Sequence, residues 1–386
     1  MPEIGYQEVD LTTAFCRLNA DVTVITSTMV SPGSRKIVTK CYESGESNFR
    51  NAKIVRFAPD FSFGPNVYSS RVTALLERIQ PDFCILMAPG KIFGTKAFCR
   101  FLGGRRISIF QENSEDGRSQ GVGSFKGGVR YWLDRFVRWP TFSRVVLASD
   151  RVVCNVPETK HLLRQWLTAD AIKALGYRGV DLRLGFDPQQ FFFSADERSK
   201  RRRMLHVADD EILVATCTRA TRGKRLEAVM DEVHNLRKAG LPVRYVLAGV
   251  MDDQYGTELR KYAAARFDDG SVQCLSVLSH DDMSGFCSAA DIGLWPQAAI
   301  SIQQAMGTGL PIVLHGRGSV SHLLQHGVNG WYVHDGDNWN SQLLPAVKYL
   351  MSLSIYERAR FRSETIRINS SYLSYDKVAL EMISGF

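Results

Sequence analysis

The sequence predicts an α/β protein built from two doubly wound domains. Three observations carry that prediction: short apolar runs, amphipathic helical patterns between most of them, and a chain of 386 residues, enough for two domains with buried cores. Continuous apolar strands separated by helices call for parallel sheets covered on both faces, because alternation is expected only where one face meets water. Two successive sets of such units make two domains.

In the first set the strand candidates are "DVTVIT", "AKIVRF", "DFCILM", "RISIF", "RVVLA", "RVVCN" and "DLRLGF". In the second they are "EILVATC", "VRYVLAG", "VQCLSV", "IGLWP", "PIVL" and "GWYV". The clearest helical patterns are "SSRVTALLERIQ" and "RLEAVMDEVHNLRKAG", the latter ending at a glycine placed to cap it. The break falls in "FDPQQFFFSADERSKRRRML", which holds a proline and a charge run but no strand pattern. The expected domains are therefore 1–187 and 188–366, with a helix over 367–386 returning to the first. The run Lys200 to Arg203 has no interleaved aromatics, so it reads as a solvated helix face beside a hinge rather than a nucleic-acid patch.

A doubly wound domain opens with a buried strand and then a glycine-rich turn into its first helix. This chain opens on what reads as that turn and helix, "MPEIGYQEVDLTTAFCRLNA". The first strand of the N-terminal domain is thus expected to be missing, through truncation, an internal start or rearrangement.

Hydrophobic residues make up 45% of the chain and charged residues 23%, the balance of a soluble globular protein. No apolar run approaches the ~18 residues of a membrane-spanning helix, and "MPEIGYQEVD" lacks the form of a signal peptide. A net charge of +8 favours anionic partners. The eight cysteines form no C-x-x-C pair and mostly sit beside apolar residues. They read as buried free thiols in a reducing compartment, which places the protein in the cytoplasm.

Ligands of doubly wound sheets bind beyond the carboxyl ends of the strands, and two facing domains would put those ends on either side of a cleft. Four segments are candidates. Arg219 and Lys224 in "TRATRGKRLEAVM" follow a strand and precede a helix, which suits a diphosphate; an ordinary exposed loop is the alternative. "IGLWPQAAISIQQAMGTG" reads as strand, loop and helix, with backbone N–H groups from Pro296 to Ser301 and the amide of Gln304 one turn in. Its alternative is a packing helix whose glutamines, Gln303 and Gln304, lie on the surface. His315, His322 and His326 are close in sequence but lack a converging carboxylate, so they read as surface or capping residues and no metal site is expected. The first 160 residues hold no histidine, which removes that kind of general base from most of the first domain. Finally, "FKGGVRYWLDRFVRWPTF", residues 125–142, mixes Lys126, Arg130, Arg135 and Arg138 with Tyr131, Trp132, Phe136 and Trp139. That suits either a helix lying in a membrane interface or an amphipathic core helix with basic solvent positions.

Together these pieces resemble the GT-B-fold glycosyltransferases of group 1, a mostly retaining, nucleotide-sugar-dependent family. "LGFDPQQF" resembles the family's inter-domain segment and "RATRGKR" its R-x(4)-K motif. "VQCLSVLSHDDMSGFCSAADIGLWP", "SIQQAMGTGLPIV" and "GSVSHLLQHGVNGWYV" follow in the family's order. The resemblance implies that Arg219 and Lys224 bind the donor diphosphate and stabilise the charge that develops on it. It implies that Val277 lies where the nucleobase is reached, that backbone amides around Ala299, Ile300 and Ser301 meet the sugar, and that Gln304 meets the ribose. Gly5 would sit in the turn facing the donor, with Tyr6 and Gln7 beside it toward the acceptor.

The departures are specific. The family's E-x(7)-E motif is replaced by Pro296 and, eight residues on, Gln304, and its later "PE" by Ser321-His322. The amide keeps the geometry of the ribose contact at a cost of about 1–2 kcal/mol, because a carboxylate makes charge-assisted bonds and an amide neutral ones. An N-domain histidine near the reacting sugar is also absent. The expected function is transfer of a hexose from a nucleoside diphosphate sugar to a glycan or lipid-linked acceptor in surface polysaccharide synthesis, with retention. No cofactor or metal is expected and no nucleic-acid partner. The expected location is the cytoplasm, at the inner face of the plasma membrane through 125–142. The alternative is a catalytically inactive module of the same fold that binds a nucleotide or glycan, or scaffolds a partner transferase.

Overall fold

The computed structural model describes residues 7–30, 39–40, 43–63, 66–87, 89, 94–111, 139–267, 269–315, 320, 322–333 and 340–386. The chain divides into two compact units, Thr12–Arg183 with Ala379–Phe386, and Leu184–Val378 with Met1–Leu11. The division falls before 187, and the returning segment starts at Ala379 rather than 367. A backbone zipper accounts for both shifts: Phe186 N donates to Leu373 O at 2.9 Å and Tyr375 N donates to Phe186 O at 2.9 Å. It binds residues 184–186 to 373–375. Ser374 adopts an extended conformation there, so the C-terminal region is two helices, Ile355–Leu373 and Tyr375–Ile383.

Apart from two short two-stranded ribbons, Met29–Val30 with Thr39–Lys40 and Phe61–Phe63 with Asn66–Tyr68, the strands described in the Thr12–Arg183 unit are β1 (Thr23–Ser27), β2 (Gly45–Phe49), β3 (Ala52–Phe57), β4 (Phe83–Met87), β5 (Arg105–Phe110), β6 (Arg151–Cys154) and β7 (Gly179–Asp181). They form two half-sheets, ordered β1-β3-β2 and β7-β6-β5-β4. All neighbours run parallel except the β2–β3 hairpin. Among the described residues no strand joins β1 to β4, where the first strand of a doubly wound sheet would lie. The halves still share one core: Ile25, Phe57 and Cys84 pack on Val72, Leu76, Ala97 and Phe101 from the helices Arg71–Ile79 and Thr95–Arg100.

Two strand expectations in this unit are corrected. "RVVLA" is the end of the helix Trp139–Ala148, in which Phe142, Val145 and Val146 are buried. That i, i+3, i+4 spacing outweighs the β-branched run. "DLRLGF" supplies only the last residue of β7 and then enters the zipper at Phe186. The amphipathic segment 125–142 lies outside the described residues up to 138. Of the remainder, Trp139 stacks on Trp166 at 6.1 Å and Phe142, 1% exposed, meets Phe110 edge-on at 5.4 Å. Phe142 is therefore core and not available to a membrane.

The second unit holds β8 (Ile212–Cys217), β9 (Val243–Ala248), β10 (Val272–Leu275), β11 (Ile292–Trp295), β12 (Ile312–His315) and β13 (Gly330–Val333). The order is β10-β9-β8-β11-β12-β13, all parallel. Residues alternate between two faces, and both faces are buried. Ile212 and Val214 face the helices Leu226–Lys238, Gln254–Arg266 and Asn340–Ser352; Leu213, Ala215 and Cys217 face His280–Ala289 and Ile300–Gly307. That two-sided burial is why the strands read as unbroken apolar runs.

The charge run of residues 200–203 belongs to the helix Ala195–Met204, begun by Ser194, whose hydroxyl accepts from Glu197 N. It is not a wholly solvated face. Arg202 is buried and donates to Asp291 Oδ2 at 2.8 Å, while Arg198 donates to Asp291 Oδ1 at 2.6 Å. Arg198 and Arg362 also donate to the carbonyls of Ser288 and Ala290. Guanidiniums thus meet the unpaired carbonyls and negative dipole end of the helix His280–Ala289. Burial by itself would raise the Asp291 carboxyl; Arg198, Arg202 and the Leu213 N–H hold it below the usual carboxylate range.

Because the folded value is lowered, this stabilisation is complete above the ordinary carboxylate pKa of about 3.9 and is lost as the pH falls through the folded value. The Asp291→Ala variant leaves buried guanidiniums unpaired and is expected to lose about 3–5 kcal/mol in urea unfolding at neutral pH. The difference from wild type should shrink in acid.

Candidate functional site

In the second unit the strand order reverses between β8 and β11, the place where an open parallel sheet leaves a crevice at its carboxyl ends. The side chains gathered there come from the ends of those two strands and from the segments that follow. Thr218 N donates to Ala248 O at 3.0 Å and Ala220 N to Gly249 O at 2.9 Å, so the chain leaving β8 is strapped along the end of β9. Arg219 lies between the two straps and is exposed. The straps require a glycine at 249: its φ is +105°, and a Cβ there would lie 2.1 Å from Thr218 O.

Lys224 ends a short 3-10 turn, Arg222–Lys224. Its ammonium donates to the Thr218 hydroxyl. Burial, and then the neighbouring charge of Arg219, hold it below the usual lysine range. The adjacent Arg222 turns away to pair with Glu258 at 2.6 Å and lies over the Tyr255 ring at 5.1 Å. Arg219 and Lys224 thus lie near enough at the strand end for the charge of one to act on the other, and two neighbouring like charges favour an anion beside them.

The loop after β11 is tied to the same place. Trp295 Nε1 donates to Cys217 O at 3.0 Å and to Ser301 Oγ at 3.1 Å, and the Ser301 hydroxyl also donates to Cys217 O. Gln297 Nε2 donates to Gly223 O at 2.7 Å, bridging this loop to the Lys224 turn. The helix Ile300–Gly307 begins here with Ala299 as its N-cap and no side-chain cap; Ile302 N is bonded to Ala299 O at 3.1 Å, and no side chain caps the amides of Ile300 and Ser301 before it.

The far end of that helix is fixed by close packing. Gly309 has φ +71°, and a Cβ on it would lie 2.6 Å from Ile366 and 2.7 Å from Arg362 O. Asn369 Nδ2 donates to Met306 O at 2.8 Å, and its Oδ1 accepts from Asn329 Nδ2 at 2.7 Å. The asparagine of "GVNG" is thus a buried tie to the helix that supports residues 300–307.

The structure brings Arg219, Lys224, Ala299, Ile300 and Ser301 to one strand-end region. The Ser301 hydroxyl is taken by Cys217 O, so a ligand would meet the backbone of this residue. Gln303 and Gln304 are each 5% exposed, which removes the surface-residue alternative. Gln303 turns back on its own helix, its amide group lying against Ala299 O and Ile300 O, while Gln304 Nε2 lies 3.2 Å from His280 Nε2. Val277 is 48% exposed after β10. Gly5 and Tyr6 lie outside the described residues. Gln7 is 5% exposed at the start of the helix Gln7–Arg17. His326 Nδ1 accepts from Tyr332 N at 3.1 Å, a turn-capping role. Thr218, Gln297 and His280 escaped the sequence reading. Each acts through a partner that is remote in the chain or through a backbone carbonyl.

Residues 211–352 match the family model for glycosyl transferases group 1. The whole chain superposes on solved members of the GT-B fold. Residues 211–352 form a group 1 glycosyl transferase domain. A sucrose-phosphate synthase from Thermosynechococcus elongatus aligns with a TM-score of 0.64 at 14% identity, over 98% of this chain and 92% of that one. WaaG, a glycosyltransferase involved in lipopolysaccharide biosynthesis, aligns at 0.62 and 12% identity, over 98% and 95%. The Anabaena protein HepE, solved with UDP-glucose, aligns at 0.56 and 16% identity, over 86% and 84%. In sequence, the amylovoran biosynthesis glycosyltransferase AmsK of Erwinia amylovora is 24% identical over 184 residues, 44% of this chain. That match spans 41% of the length of AmsK. No helix among the described residues is long and apolar enough to cross a membrane.

Within the glycosyl transferase domain, the Gly249→Ala variant is expected to cost about 1–3 kcal/mol, measured by urea or thermal unfolding, because it combines a disfavoured φ with a backbone clash.

Proposed function

We propose that this chain is a glycosyltransferase that moves a hexose from a nucleoside diphosphate sugar to a glycan or lipid-linked acceptor in surface polysaccharide synthesis. The observation that carries this reading is the pair Arg219 and Lys224, held at the switch point of β8 and β11 beside the open N-terminus of the helix Ile300–Gly307. Cations and free amides at one strand end suit a diphosphate. The pair stabilises the charge that develops on the leaving diphosphate as the acceptor hydroxyl attacks the anomeric carbon. Retention is the stereochemistry that family resemblance favours, with the leaving phosphate as base. The HepE structures with UDP and UDP-glucose support a nucleotide-sugar donor, and the names of AmsK and WaaG support polysaccharide synthesis. In this reading Tyr6 and Gln7, near the start of the chain, meet the acceptor.

The Arg219→Ala and Lys224→Ala variants should each lose about 10- to 100-fold in UDP affinity by calorimetry, or about 1.4–2.8 kcal/mol. Unchanged affinity in both would refute the assignment. The pH dependence has a sign. A lysine held below its usual range carries full charge at low pH and loses it as pH rises through the lowered value. UDP affinity should therefore decline on the alkaline side before an ordinary lysine titrates, and K224R should remove that decline.

A second reading rests on the loop 296–301, which carries no carboxylate, and on the amide at Gln304. In it the same fold binds a nucleotide without turning it over. Nucleotide release from a panel of sugar donors separates the two: turnover supports the transferase, and binding without turnover supports the inactive module.

A further inference from the structure

Gln304 stands buried one turn inside the helix Ile300–Gly307. An amide has two ends of opposite hydrogen-bonding sense, so its use in a site depends on which end is committed elsewhere. Here Nε2 is committed, 3.2 Å from His280 Nε2. An NH2 group can only donate, so this pairing requires His280 Nε2 to accept.

The His280 ring is held in place. It begins the helix His280–Ala289, after the N-cap Ser279. Its face or edge meets Phe191, itself 1% exposed, with ring centroids 4.8 Å apart at 78°. The acidic neighbours on the same turn are occupied elsewhere. Asp281 Oδ1 accepts from Gln190 at 3.1 Å, and Asp282 accepts from Arg201 at 2.7 Å and from the Ser279 hydroxyl at 2.6 Å. The His280 Nε2 atom is the ring nitrogen that faces Gln304. A carboxylate at 304 would instead need a charged partner at this depth.

We propose that His280 is a positioning residue for nucleotide recognition: by accepting from Gln304 Nε2 it fixes the amide with Oε1 presented to the hydroxyls of a nucleotide ribose. The neutral Gln304–His280 pair thereby does by orientation what a carboxylate would do by charge. The inference rests on residues 300–304 being part of the donor site.

The test is calorimetry with UDP and with 2′,3′-dideoxyuridine diphosphate, which lacks the ribose hydroxyls. Wild type is expected to bind UDP about tenfold more tightly than the dideoxy compound. H280A, and H280F, which keeps an aromatic ring against Phe191 but offers no acceptor, should lower that ratio to about twofold or less. Their affinity for the dideoxy compound should stay near wild type. H280Q, whose side-chain carbonyl reaches the place of the ring nitrogen, should restore the ratio. A general loss of folding would instead weaken both ligands together. An unchanged ratio in H280A and H280F overturns the proposal. So does a wild-type ratio near one, which leaves the Arg219–Lys224 diphosphate reading standing. No UDP binding by wild type overturns the donor-site reading and the proposal together.

Discussion

The carbonyl oxygen of Cys217 accepts from Trp295 Nε1 and from the Ser301 hydroxyl, and the arrangement of the strand-end region around β8 and β11 depends on that shared acceptor. It lies at the end of β8, next to the point where the strand order reverses. Through it the end of β11 and the first turn of the helix Ile300–Gly307 are registered against the strand that leads to Arg219. The Thr218 and Ala220 straps to Ala248 and Gly249 fix the other side. Two cations and a helix N-terminus without a side-chain cap are thereby held at one place by backbone geometry. Electrostatic stabilisation of a leaving diphosphate works best when its donors need no rearrangement.

The supports of that region lie deeper in the unit and are largely polar. Asn329, Asn369 and Met306 O form a buried chain to the end of the helix 300–307. Arg198, Arg202 and Arg362 converge on Asp291 and on the carbonyl end of the helix His280–Ala289. Such groups are stable in a core only when they are satisfied together. The same helix carries His280 at its opposite, N-terminal end. The arginines that cap one end of it and the pairing with Gln304 at the other both bear on its position. Burial also quiets the thiols: it pushes Cys84, Cys154 and Cys217 up to about 12, which leaves them as packing groups rather than nucleophiles.

Much of the architecture was legible in the chain. Twelve of the strand segments read as apolar runs correspond at least in part to observed strands, because a parallel strand buried on both faces has to be apolar throughout. "RVVLA" failed for the converse reason: a short apolar run looks the same on a buried helix, and only the packing of Phe142, Val145 and Val146 decides. The zipper of Phe186 with Leu373 and Tyr375 joins positions nearly two hundred residues apart, a pairing that no local pattern in the chain announces. The basic run at 200–203 looked solvated because its acceptor, Asp291, lies far along the chain.

The sequence by itself determined the fold class, the parallel sheet of the glycosyl transferase domain and the two cations that follow its first strand. These follow from hydrophobic period and from residues adjacent to strand ends, which are local properties. It also marked Gln304 as a departure from an acid. Only the tertiary structure decided what that departure means. It buried the side chain and set a ring nitrogen of His280 against its amide, and hydrogen-bond direction, unlike charge, is settled by the partner and not by the residue. The same holds for Ser301, whose hydroxyl is claimed by a carbonyl from another strand, and for Phe142, which the core takes from a segment that composition left open to a membrane.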